Sequence, residues 1–85
     1  MEVPPANESP CAMMKRLAKE LEKEIRRTEE RTGELEDKIA SLQAQPDPPE
    51  KEIQALKQTL ESLRSKVAED NNSLATLQDV ITENC

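Results

Sequence analysis

The chain has no Phe, Tyr or Trp, no His, a single Gly and two Cys among its 85 residues. Each absence closes a class of function. Without aromatics, and with 34% apolar residues, there is too little bulk to fill a globular core or to wall a ligand pocket. Without His, the commonest general acid–base group and metal ligand is missing. Cys11 and Cys85 stand too far apart in sequence to supply metal-ligand spacing. One glycine cannot build a phosphate-cradling loop. Carboxylates are plentiful, but nothing in the composition makes a cavity that would desolvate them for acid–base work. The stretch Glu69-Asp70-Asn71-Asn72 lacks the glycine and ligand spacing of a calcium loop. The sequence predicts no catalytic site, no cofactor and no metal centre, and therefore no enzyme.

Long apolar runs are missing as well. Nothing approaches the roughly 18–20 residues that span a bilayer, so membrane insertion is not expected. The chain does not open on the apolar block of a signal peptide and reads as a segment of a longer protein. The net charge of −6 argues against nucleic acid, whose phosphates require a basic partner. A local basic stretch (Lys15, Arg16, Lys19, Lys23, Arg26, Arg27 and Arg31) is interleaved with Glu20, Glu22, Glu24, Glu29 and Glu30. That mixture reads as a solvated helix face.

What the chain does have is a heptad. From Cys11 the apolar spacing alternates three and four: Cys11, Ala18, Ile25, Thr32 and Ile39 at a, with Met14, Leu21, Thr28, Leu35 and Leu42 at d. After Pro46, Pro48 and Pro49 it resumes with Ile53, Leu60, Val67, Leu74 and Ile81 at a. Leu56, Leu63, Asp70, Leu77 and Asn84 follow at d. A repeat of about 3.5 residues keeps one helix stripe facing a partner helix. The expected fold is all-α.

Residues 1–9 read as an extended Pro-rich linker, because Val3-Pro4-Pro5 cannot continue a helix. A first helix is predicted over about 10–44, with Ser9 as N-cap and Pro10 in the first turn. Gly33 sits outward in it, at a cost of roughly 0.5–1 kcal/mol relative to Ala. A turn over 45–48 and a second helix over about 49–83 follow, with Asp47 as N-cap and Glu50 completing a capping box.

Two architectures satisfy the heptad. Folding about residues 47 and 48 makes an antiparallel coiled-coil hairpin with layers Leu42–Ile53, Ile39–Leu56, Leu35–Leu60, Thr32–Leu63 and Thr28–Val67. The series continues through Ile25–Asp70, Leu21–Leu74, Ala18–Leu77 and Met14–Ile81. The hairpin also brings Leu17 and Val80, both at g, together so that they bury each other. Glu36–Lys57 and Glu29–Arg64 become opposite-charge pairs at e, and Arg31 near Lys66 is a mismatch. The alternative is a parallel rod, favoured by the unbroken frame Ile39, Pro46, Ile53 and by Ile or Val at a with Leu at d. The hairpin is the preferred reading. Its predicted interface is Leu17, Leu21, Ile25, Leu35, Ile39, Leu42, Ile53, Leu56, Leu60, Leu63, Val67, Leu74, Leu77, Val80 and Ile81. Ala55, Ser62, Ser65, Ala68, Ala75 and Thr76 give the second helix a small outward surface, through which hairpins could self-associate into a helical bundle.

Cys11 and Cys85 fall opposite each other only in the hairpin, where a disulfide would staple the open end. The rod instead allows bridges between chains, and unrelated thiols are the third reading. A disulfide implies an oxidising compartment. The sequons Asn7-Glu8-Ser9 and Asn71-Asn72-Ser73 lean the same way. Asp70 in the seam either fixes the alignment of partners or simply pairs with Lys66 one turn earlier. The combination of heptads, sequons and cysteines resembles, without a family motif, the coiled-coil segments that space and oligomerise extracellular multidomain or viral surface proteins. The expected function is a non-catalytic protein–protein interaction or oligomerisation module of a larger secreted or surface protein, its partners being further copies or other helices. Two alternatives are a cytoplasmic parallel dimerising spacer and an adaptor with a groove for a partner's amphipathic helix.

Overall fold

The computed structural model describes residues 8–85. Two helices, α1 (Pro10–Gln43) and α2 (Glu50–Asn84), pack side by side and antiparallel. The chain is a helical hairpin and not a continuous rod. Most of the Pro-rich segment, and the Asn7 sequon with it, lies outside the described residues.

The start of α1 follows from its first residues. Ser9 is extended (φ −69°, ψ 155°) and its hydroxyl accepts from the Ala12 amide at 3.1 Å. Pro10 occupies the first turn, where a missing N–H leaves nothing unsatisfied. The helix stops at Gln43 because Pro46 cannot donate onward; the Ala44 amide closes the last turn on the Ala40 carbonyl at 3.1 Å.

The start of α2 differs from the sequence expectation. Pro49, not Asp47, is the N-cap, and no side chain caps the helix. Proline following Pro48 disfavours α geometry there, so Asp47 cannot be the N-cap and the helix cannot begin before Pro49. The amides of Glu50, Lys51 and Glu52, which a cap would serve, belong to exposed residues and are open to water. The Ile53 amide makes the first helical bond, to the Pro49 carbonyl at 3.0 Å, and Glu50 and Glu52 place negative charge at the positive end of the helix dipole.

Packing is strongest beside the turn. Ile39, Ile53 and Leu60 form a buried cluster flanked by Leu35, Leu42 and Leu56, and Ile53 is only 1% exposed. Toward the open end the buried residues are Ala18, Ile25 and Thr28. Leu21, Leu63, Val67, Leu74, Leu77 and Ile81 are half-buried. Partial burial is what a lone helix pair permits, since each seam side chain is covered by one neighbour only.

Candidate interaction surface

Three zones follow one another along the hairpin, each set by its heptad residues. Nearest the turn, an open groove of about 540 Å³ runs beside Ile39 and Leu60. Its rim carries Glu36 and Glu61 together with Lys57 and Arg64. Glu36 accepts from Arg64 at 2.8 Å. This replaces the expected pairs Glu36–Lys57 and Glu29–Arg64.

The middle zone is polar. Thr28 is 7% exposed, and its hydroxyl donates back to the Glu24 carbonyl at 3.0 Å. Thr32 does the same to Glu29 at 2.6 Å. Both seam hydroxyls are thus satisfied within their own helix and ask nothing of α2. Asp70 accepts from Lys66 at 2.8 Å, the local pairing expected for it, and the same ammonium reaches Glu24 on α1 at 2.9 Å. Lys66 is drawn toward the open end, which relieves the expected mismatch with Arg31. Its pKa is raised, first by the hydrogen bond to Asp70 and then by that to Glu24.

At the open end, Cys11 and Cys85 stand with Cα atoms 6.0 Å apart, a separation at which a disulfide closes without moving the backbone. Met13, Leu17 and Val80 are the large apolar side chains left exposed among the described residues, at 43%, 41% and 37%. This corrects the expectation that Leu17 and Val80 bury each other. Both lie at g, on the flank of the seam, where two helices alone curve away from each other and leave the pair half open to water. Met13 belongs to the same flank, one turn before Leu17. It was missed because it lies outside the a/d stripe; an apolar residue one turn from an apolar g position is the signal that would have found it.

Charge is sorted around the hairpin although it is mixed along the chain. The outward positions of α1 from Ala12 to Glu30 present Arg16, Lys19, Lys23, Arg26 and Arg27 against Glu20 and Glu30. Arg16 is tied to Glu8 at 3.2 Å and to Glu20 at 3.2 Å, and its pKa is raised, chiefly by the Glu8 hydrogen bond. The outward positions of α2 from Gln54 to Glu83 present Glu61, Glu69, Asp79 and Glu83 and no Lys or Arg. The outward surface of α1 is therefore basic over its first half and turns acidic beyond it at Glu30, Glu34 and Asp37, while that of α2 is acidic after Lys51.

No match to this chain is found among known families, curated proteins or solved structures. The site must be argued from its own geometry. Among the described residues no group of His, Cys, Asp or Glu is placed to hold a metal ion, and no helix is long and apolar enough to cross a membrane.

Proposed function

We propose that this chain is a non-catalytic interaction module: a cross-linked helical hairpin that joins proteins through its surface, within a larger secreted or surface protein. The observation that carries the reading is the exposed apolar flank of Met13, Leu17 and Val80. A sequence this short of large apolar residues leaves three of them on one flank with about two fifths of their surface in water. The rest of the outward surface is charged or small and favours solubility. The juxtaposed cysteines support an oxidising compartment, because such a pair persists as a disulfide only there.

A photo-crosslinking residue at position 17, compared with one at outward Gln58 on α2, tests the reading in cells that produce the protein. A discrete adduct that forms from position 17 and not from position 58 is expected. Absence of any adduct, or equal adducts from both positions, overturns it. Alkylation of free thiols before lysis tests the compartment: Cys11 and Cys85 should be protected, and labelling of both would place the chain in a reducing environment.

A further inference from the structure

We propose that Asn71 is an N-glycosylation site, lying on the flank opposite Met13, Leu17 and Val80 and modified before α2 packs against α1. The inference rests on the secreted or surface reading and adds a covalent ligand to it. Asn71-Asn72-Ser73 has the acceptor pattern, an asparagine with a hydroxyl two residues on and no proline between. So short a pattern is common in any sequence, and its position is what counts.

Asn71 occupies an e position beside the seam, where a glycan would be expected to crowd the other helix, yet the residue is exposed. Next to it an open depression of about 240 Å³ lies between the helices, lined by Ile25 and Leu74 and by Glu22, Arg26 and Glu29. A sugar ring has apolar C–H faces and polar edges, and this lining offers partners to both. Ala68 and Ala75, the neighbours of Asn71 on its own helix face, are small and exposed. The root of a glycan therefore has room. Leu17 and Val80 stand at g, across the seam from e, so a glycan on Asn71 leaves the apolar flank open.

Asn71, Asn72 and Ser73 also put three poor helix formers in a row into α2, all three of them exposed. No core contact calls for them, whereas an acceptor sequence does. Geometry then fixes the order of events. In a helix, side chains two residues apart point about 200° away from each other, so the Ser73 hydroxyl cannot attend the Asn71 amide once α2 has formed. In an extended chain, residues i and i+2 lie on one side. The step is a group transfer from a lipid-pyrophosphate-linked oligosaccharide. Nδ2 of Asn71 forms a bond to C1 of the first sugar and the C1–O bond breaks. The lipid pyrophosphate leaves with the bonding pair, and one amide proton passes to a base of the transferase and on to water.

Mass spectrometry of the chain from cells that produce it tests the site on the tryptic peptide following Lys66, which holds this sequon alone. A glycan is expected at position 71, and its enzymatic release should leave aspartate there. Asn71→Gln and Ser73→Ala should each abolish the glycan, and Ser73→Thr should keep it. Circular dichroism of these variants should stay helical, since both positions are exposed. With transferase and lipid-linked donor in vitro, the oxidised hairpin should be modified at least about tenfold more slowly than the reduced, alkylated chain carrying Ile53→Ala, which opens more often. Equal rates overturn modification before packing. The position-17 adduct should form alike from the glycosylated chain and from Asn71→Gln; an adduct confined to Asn71→Gln overturns the placement of the glycan away from the apolar flank. An unmodified position 71 in chains whose cysteines are protected from alkylation overturns the glycan alone. An unmodified position 71 together with labelled cysteines overturns the secreted or surface reading with it.

Discussion

Lys66 spans the hairpin to Glu24 at 2.9 Å while holding Asp70 at 2.8 Å on its own helix. Both contacts favour the ammonium, so its pKa stands above the ordinary 10.5. The sign for stability follows from linkage. A lysine with a raised folded value stabilises fully below its unfolded value and loses that contribution as pH climbs through the folded one. The loss therefore falls above about pH 10.5, and it is small because the side chain is exposed. An NMR titration of the Lys66 side chain should show the elevated midpoint, and Asp70→Asn should lower it. An unchanged midpoint in that variant would remove Asp70 as the principal cause.

Ile53 is the most buried side chain in the structure. Ile53→Ala should cost about 2–5 kcal/mol, the range for a large-to-small change where little can relax into the gap. Leu77→Ala, at a half-buried position near the open end, should cost clearly less. Urea unfolding followed by circular dichroism measures both. Equal losses would contradict a core concentrated beside the turn.

Gly33 has a negative φ, and a Cβ built on it meets nothing within 4 Å. Gly33→Ala should therefore stabilise α1 by roughly 0.5–1 kcal/mol, by restricting the unfolded chain and removing a poor helix former. A lowered melting temperature would mean that this outward position makes a contact in the assembled protein.

Joining Cys11 to Cys85 closes a loop across 74 positions. Reduction, or Cys11→Ser, should lower stability by about 2–4 kcal/mol, less than the chain-entropy limit if the denatured state is compact. On a non-reducing gel the oxidised monomer should run faster than the reduced one. A disulfide-linked dimer band would contradict the intrachain pairing.

The seam was legible because a heptad is a local pattern with a global meaning. Ile39, Ile53 and Leu60 stand where the repeat places them, and the proline cluster locates the turn. The closeness of Cys11 and Cys85 followed from their near-equal distances to that turn. Three features were not legible in the sequence. The start of α2 depended on Pro49 keeping Pro48 out of α geometry, which overrode the capping pattern at Asp47. The partner of Glu36 depended on the rotamers of long side chains, which heptad letters do not encode. The exposure of Leu17 and Val80 depended on how far two helices diverge at their flanks. The basic outward surface of the first half of α1 is periodic too, yet it is hidden when the residues are read in order.

The 6.0 Å separation of Cys11 and Cys85 has a mechanical consequence. With the sulfurs bonded, a pull applied between Ser9 and Cys85 travels across the bridge and bypasses the loop it closes. Neither helix carries tension, and the turn at Pro46–Pro49, about 50 Å away at ~1.5 Å per helical residue, is an unloaded tip. Shear that would peel a reduced hairpin apart from its open end finds no free end to grip. Stretching in a force spectrometer should therefore lengthen the oxidised chain hardly at all and the reduced chain by the full contour of both helices.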